Sequence, residues 1–263
     1  MKKQFLLYLL VLLLVLPGCS QEVPVATEAP TIVTESTTEA PTEIPTEPLT
    51  EAPTEPPHSE LYIPGVSADQ VVQYFNEVCL NAEFVNSGDP SFLQRWNAPI
   101  SYTLFGQPTE EDAAKIAEFA QWLNAIQGFP GMYEAGPEDY TNLRIYFRNQ
   151  QGMIDIMGDQ FWDMDGAVTF WYNEDIIYDA QICVRTDLDQ YLRNSVILEE
   201  IYNGLGPIQD TDLRPDSIIY SAFSQPQALT EMDELILKLL YHPSLACGMN
   251  AAECETAIRA LYY

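Results

Sequence analysis

The chain has 263 residues and carries 39 acidic against 11 basic side chains, which gives a formal net charge of −28 at pH 7. Nucleic acid and anionic bilayer surfaces repel such a chain, so a nucleic-acid partner is not expected. The charge favours cationic peptides, amines or divalent cations as ligands, with a merely solvated acidic surface as the alternative.

The first 18 residues have the pattern of a secretory signal, with two lysines, an apolar run over 5–16 and then small residues. The run is too short for a comfortable membrane span. The ending Leu-Pro-Gly-Cys resembles the bacterial lipobox, in which the cysteine is lipidated and becomes the first residue of the mature protein. We therefore predict a signal peptide over 1–18 and a lipid on Cys19 that anchors the chain to the bacterial cell membrane on its extracytoplasmic side. An ordinary cleaved signal is the alternative.

Residues 19–59 are rich in threonine, glutamate and proline and repeat the motif Thr-Glu-Ala-Pro-Thr. This region has too little apolar surface to offset the entropy of ordering, so we predict a disordered linker. The remaining part, residues 60–263, has about 200 residues, which is enough for one domain with a well-packed core.

Four cysteines follow Cys19. In an exported domain they allow three pairings. We favour a local Cys247–Cys254 disulfide, which leaves Cys79 and Cys183 to pair with each other or to stay buried. Four free thiols are the alternative. The chain has no Cys-x-x-Cys motif and only two histidines, so a zinc ribbon is not expected.

Apolar residues three and four apart predict helices, and short runs of β-branched and aromatic residues predict strands. The predicted elements, in chain order, are a helix capped by Ser67, a strand over 100–106, a helix from Thr109 to Gly128, strands over 142–147, 167–172 and 176–184, a helix over 195–205 and two C-terminal helices. This order predicts a mixed α/β (α+β) fold with a mainly helical C-terminal part.

The helix over 195–205 carries Glu-Glu-x-x-Asn-x-x-Gly, which aligns with His-Glu-x-x-His-x-x-Gly-x-x-His of the metzincin zinc peptidases. In that motif the histidines bind zinc, the glutamate is the general base and the glycine lets the chain turn. The general base falls on Glu200 and the turn glycine on Gly206. The three histidine positions fall on Glu199, Asn203 and Gln209, so every ligand position is replaced.

The succession of predicted elements resembles the N-terminal half of a metzincin. The C-terminal part, over about residues 140–263, more closely resembles domain-of-unknown-function family 2927, which is grouped with the metzincin-like peptidases. The residues that carry this resemblance are Glu199-Glu200, Asn203, Leu205-Gly206, Gln209-Asp210, Ser217-Ile218, Thr230, Asp233, the run Leu-Leu-Tyr-His-Pro-Ser-Leu and Gly248-Met249. The resemblance implies a peptidase-like fold whose members lack the histidine ligands.

An oxygen-only set from Glu199, Asn203 and Gln209 would make a poor zinc site, because zinc prefers nitrogen and sulfur ligands. No cofactor is therefore expected. The alternatives are zinc in this unusual site, or calcium with additional oxygens from Asp210 and Asp212.

These observations predict a surface-anchored lipoprotein that lacks zinc-dependent proteolysis and whose cleft binds a peptide or a cell-wall-derived ligand. The rival is a peptidase or a glycan hydrolase that uses Glu200 as general base. A glycosidase-like pair would need a second carboxylate, for which Glu199, Asp155 and Asp179 are the candidates.

Overall fold

The structure is a computed structural model that describes residues 59–80, 92–136 and 138–263. The predicted signal peptide, Cys19 and all of the predicted linker except Ser59 lie outside the described residues. The described residues belong to one compact unit. None of the helices described there is long and apolar enough to cross a membrane.

One mixed sheet organises the domain. Its strands are β1 (Arg95–Trp96), β2 (Ile100–Gly106), β3 (Met132–Glu134), β4 (Leu143–Arg148), β5 (Gly166–Asn173) and β6 (Ile176–Arg185). The strand order is β1-β6-β4-β2-β3, and β5 pairs with β6 off this path. The β5–β6 pair is antiparallel, whereas the pairs along the rest of the sheet are parallel. The predicted mixed α/β class is thereby confirmed.

Helices cover the sheet, and polar side chains mark where they begin. The helices are α1 (Ala68–Leu80), α2 (Glu110–Leu123), α3 (Gln150–Met157), α4 (Gln190–Gly204), α5 (Glu231–Leu240) and α6 (Ala251–Leu261). Thr109, Thr230 and Asn250 form full capping boxes at the starts of α2, α5 and α6. Each box satisfies backbone N–H groups that the first helical turn leaves unpaired.

The buried side chains form two apolar clusters on opposite faces of the sheet. Ile182 and Val184 of β6 belong to the larger cluster, whereas Cys183 between them belongs to the smaller one. Alternate residues of a strand point to opposite faces, so the two clusters are separated by the sheet. Helix α3 contributes Met153 and Met157 to the smaller cluster.

The first and last described residues of the domain meet. The Ser59 N–H donates to the Tyr263 carbonyl at 2.8 Å. The Tyr262 hydroxyl donates to the carbonyl of Val66 at 2.8 Å and contacts that of Ile63 at 3.0 Å. The segment that enters α1 is therefore fastened to the end of α6.

Two helices differ from the prediction. α2 ends at Leu123 rather than at Gly128, because the Asn124 side chain pairs with the backbone of β3. Its Nδ2 donates to the Met132 carbonyl at 3.0 Å, and its Oδ1 accepts from the Met132 N–H at 2.8 Å. α4 begins at Gln190, five residues before the predicted 195, because Asp189 caps it through a bond from the Leu192 N–H.

Candidate functional site

Helix α4 carries the motif and lies against β5 and β6 of the sheet. A buried charge contact also fixes it to α2. Arg193 Nε lies 3.0 Å from Asp112 Oδ1, and both side chains are almost fully buried. The Nε–H does not point at the carboxylate, so the contact is a charge attraction rather than a hydrogen bond. Gln190 supplies the hydrogen bond instead, donating from Nε2 to the same oxygen at 2.6 Å.

The C-terminal end of α4 is held by buried aromatic side chains. Trp96 donates from Nε1 to the Gly204 carbonyl at 2.9 Å, and the Tyr241 hydroxyl donates to the Leu205 carbonyl at 2.8 Å. Gly206 then turns the chain with φ 134°, and a Cβ at that position would lie 2.6 Å from the Gln94 carbonyl oxygen. Only glycine fits this turn without strain.

Glu200 is buried between α4 and β5, with 7% of its surface exposed. Gly166 makes the room for it, since a Cβ on that glycine would lie 2.7 Å from Glu200 Oε1. Burial raises the pKa of Glu200 well above its usual value, and the charges of Glu199 and Asp210 raise it further.

Glu199 is more accessible than Glu200 and shares its electrostatic environment. Burial raises the pKa of Glu199 to about 8, and Asp210 and Asp165 contribute to the shift. Four acids from three segments therefore influence one another electrostatically, namely Glu199, Glu200, Asp165 and Asp210, which we call the acidic cluster. Burial therefore favours the protonated form of both carboxyls.

Asn203 lies one turn after Glu199 and Glu200, and its Oδ1 is buried without a hydrogen-bond partner among the described residues. The backbone N–H of Gln209 donates to the Val78 carbonyl of α1 at 3.2 Å. Asp210, the next residue, is the one whose charge acts on both glutamates.

The other predicted acids are engaged elsewhere. Asp155 accepts a hydrogen bond from Gln151 on α3, and Asp179 forms an ion pair with Arg144 at 2.8 Å. Asp212 accepts a hydrogen bond from Ser221. Asp165, which sequence reasoning did not select, joins the cluster because it directly precedes β5. Its only signal in the sequence is the turn Asp-Met-Asp-Gly that enters this strand.

The side chains that align with the three histidines of the peptidase motif do not fit a zinc ion. Glu199, Asn203 and Gln209 offer oxygen atoms and the amide nitrogens of neutral carboxamides, not imidazole. Among the described residues, no group of three or more histidine, cysteine, aspartate or glutamate side chains is arranged to hold a metal.

The four cysteines of the domain are free thiols in the structure, so the favoured Cys247–Cys254 disulfide is absent and Cys79 and Cys183 are buried rather than paired. The Cys247 thiol instead contacts the Arg95 carbonyl at 3.6 Å, whereas Cys254 is buried on α6. Cys79 belongs to the larger apolar cluster and Cys183 to the smaller one, so the sheet separates these two thiols. Burial raises the pKa of Cys183 to about 12 and of Cys254 to about 11, which keeps both protonated.

The later residues that carry the family resemblance, from Ser217 to Asp233, belong to the core rather than to the acidic cluster. Asp233 is fully buried and accepts hydrogen bonds from the Ser217 hydroxyl at 2.6 Å and the Ile218 N–H at 3.2 Å. It also accepts from the Thr230 N–H at 2.9 Å, and the Tyr74 hydroxyl donates to Ser217 Oγ at 2.8 Å. These bonds join the loop after α4 to α1 and to the start of α5.

Comparison with known proteins gives one family. The profile of the family described as "Protein of unknown function (DUF2927)" matches residues 68–260, which adds the segment from α1 to β3 to the region recognised from the sequence. No curated protein matches the chain. The match spans most of the chain and includes both the acidic cluster and the Asp233 network, so the chain belongs to the DUF2927 family.

Proposed function

We propose that this chain is a surface-anchored extracytoplasmic lipoprotein whose DUF2927 domain is a binding module of the cell envelope. The domain would have a metzincin-like scaffold without zinc-dependent proteolysis. The observation that carries the proposal is the burial of the Glu200 side chain, which stands at the motif position that a zinc peptidase uses for its general base.

The scaffold part of the proposal is supported by the order of elements and by the position of the motif. Helix α4 directly follows β6 and packs on β5. Its glutamate and its closing glycine, Glu200 and Gly206, match the corresponding positions of the peptidase motif. The replaced ligand positions support the loss of zinc chemistry, since Glu199, Asn203 and Gln209 offer no imidazole.

Glu200 is also poorly suited to act as a general base. A base must be ionised to accept a proton, and burial that raises the pKa of Glu200 works against its ionisation. Binding does not require this ionisation before the ligand arrives. The burial of Glu200 thus supports the proposal of a binding module over that of a hydrolase that uses Glu200 as its base.

The anchor is supported by the lipobox-like end of the signal. We expect cells that express the full chain and grow with an alkyne fatty acid to show a labelled protein in the membrane fraction. Changing Cys19→Ser removes the only predicted attachment point, so the label should be lost. Equal labelling of Cys19→Ser and wild-type protein would contradict the predicted site.

Glu200→Gln separates the binding module from the hydrolase. We expect the wild-type protein and Glu200→Gln to release no product from quenched fluorescent peptides or from cell-wall fragments. A hydrolase that used Glu200 as its base would lose about 100- to 10,000-fold in rate. Glu118→Gln, which removes an exposed acid of α2, is the matched control. Turnover by wild-type and control proteins that disappears in Glu200→Gln would establish the rival function.

A further inference from the structure

One arginine of the sheet lacks the partner that most cations of the domain have. Among the described residues the basic side chains that pair with carboxylates are those of Arg144, Arg185, Arg193, Arg214, Lys238 and Arg259. No described carboxylate pairs with Arg148, whose Nη1 donates a long hydrogen bond to the Phe147 carbonyl at 3.4 Å. In a chain with 39 acidic and 11 basic side chains, an arginine without a carboxylate is an exception. It leaves a positive group open to an anion from outside.

Two glycines determine where the Arg148 side chain lies. A Cβ at Gly106, the last residue of β2, would overlap the guanidinium group. A Cβ at Gly152, in the first turn of α3, would lie 3.0 Å from Cβ and 3.2 Å from Cδ of Arg148. Both elements therefore approach this side chain closely and restrict it. A guanidinium that is already held in place loses less conformational entropy when it binds an anion.

A stacked pair of aromatic rings belongs to the same part of the sheet. Phe105 directly precedes Gly106, and its ring centroid lies 5.2 Å from that of Tyr146 at an interplanar angle of 26°. Tyr146 also packs against the smaller apolar cluster, whereas Phe105 is 37% exposed. The strand β3 pairs only with residues 100–102 of β2, so among the described strands none continues beside Phe105 on that side. An apolar ring close to a cation is therefore accessible to a ligand.

A row of polar side chains crosses the sheet next to these rings. The strand register places Thr103 beside Arg144, Arg144 beside Gln181 and Gln181 beside Thr169. All four side chains are half-buried, so each keeps some accessible surface. Arg144 is already neutralised, since it pairs with Asp179 at 2.8 Å. With strands about 4.8 Å apart, the row spans about 14 Å and offers hydroxyl and amide groups to a ligand.

This combination suits a sugar chain better than a peptide. Sugar rings have apolar faces that can stack on an aromatic ring, and hydroxyls that both donate and accept hydrogen bonds. The polar groups form a row on an open face, whereas peptides are recognised through separate pockets for alternate side chains. Charge complementarity adds the last requirement, because the unpaired Arg148 calls for a carboxylate on the ligand.

We propose that this face of the sheet, opposite to α4, binds an acidic glycan. The carboxylate of one sugar pairs with Arg148, a sugar ring stacks on Phe105, and the hydroxyls of the following sugars bond to the row that begins at Thr103. The inference rests on the proposed binding function and names the class of its ligand. It does not involve Glu200, because α4 packs on the larger apolar cluster whereas Tyr146 packs on the smaller one.

The test uses a fluorescently labelled tetrasaccharide that contains one glucuronate, and the methyl ester of the same tetrasaccharide, which is neutral. Binding to the full chain is measured by fluorescence anisotropy at physiological salt, which screens the general surface charge. We expect the acid to bind at least about tenfold more tightly than the ester. Arg148→Gln should lose this difference, and Arg259→Gln, which changes a surface arginine of α6, should keep it. Phe105→Ala should weaken the binding of both forms by about 3- to 10-fold, whereas Tyr191→Ala, which removes an exposed ring of α4, should not.

Each other outcome overturns a defined part. Equal binding of acid and ester to the wild-type chain would refute the role of Arg148 without requiring any variant to fold. Failure of both to bind would refute the glycan site, whereas the fatty-acid and Glu200→Gln experiments would still decide the proposed function. Displacement of the glycan by an equal concentration of the peptide Thr-Glu-Ala-Pro-Thr would assign the site to acidic peptides instead. An equal loss in Arg148→Gln and Arg259→Gln would mean that general charge attracts the carboxylate.

Discussion

Replacing Asp233 by alanine is expected to lower the free energy of unfolding by about 3–5 kcal/mol, because several buried donors would lose their acceptor at once. The Ser217 hydroxyl and the backbone N–H groups of Ile218 and Thr230 all donate to this carboxylate. None of them gains a replacement from alanine. Urea unfolding followed by tryptophan fluorescence measures the loss.

Asp216→Ala is the control for this prediction. Asp216 is exposed and pairs with Arg214 at the surface, at 3.0 Å. Surface ion pairs contribute little, so this change should cost less than about 1 kcal/mol. Similar losses in the two variants would show that the Asp233 network does not hold the domain together. A large loss in Asp233→Ala alone would explain the family motif around Asp233 as a requirement of folding rather than of ligand binding.

Glu200→Gln is expected to stabilise the protein at alkaline pH, which is the reverse of what most core substitutions do. In the folded protein the pKa of Glu200 lies well above 4.5, whereas the unfolded chain restores it toward that value. The folded state therefore holds more protons than the unfolded state between these two pKa values. Its stability falls as the pH rises, and the loss is complete above the folded pKa.

Glutamine resembles the protonated acid and cannot ionise, so the variant avoids this loss. Each unit of upward pKa shift makes the variant about 1.4 kcal/mol more stable than the wild type at pH 8. For a domain of this size each such unit raises the melting temperature by about 3–6 °C. The difference should shrink toward zero at pH 5. Melting curves that stay parallel for wild type and variant from pH 5 to pH 8 would contradict the raised pKa, and the exposed control Glu118→Gln should follow the wild type throughout.

The elements that could be predicted from the sequence are those with enough residues to show a period. The sequence pattern predicts the strands β4, β5 and β6 and the helix α4, whereas β1 and β3 have only two and three residues and are too short to show a pattern. It does not predict the helix α3, because Gln-Gln-Gly-Met has a glycine in its first turn. The structure explains that glycine, since a Cβ at Gly152 would lie 3.0 Å from Cβ of Arg148.

The candidate site could be predicted only in part, for a similar reason. Glu199 and Glu200 are neighbours in sequence and stand in a recognisable motif. Asp165 is more than thirty residues away in the chain, and it reaches them because β5 turns back antiparallel to β6. Sequence alone cannot show which distant acids lie near Glu200. It suggests Asp155 and Asp179, but in the structure Asp155 accepts a hydrogen bond from Gln151 of α3 and Asp179 forms an ion pair with Arg144.

The meeting of Ser59 with Tyr263 determines how the domain would respond to mechanical load. In a protein tethered through the predicted linker, tension enters at Ser59. It passes first into the hydrogen bond with Tyr263 and into the contacts of Tyr262 with Ile63 and Val66. The load is therefore shared by the two ends of the domain before it reaches α4. Under such tension the hydrogen bonds that join Ser59 and Tyr262 to the opposite end of the domain break before the core around α4 is loaded.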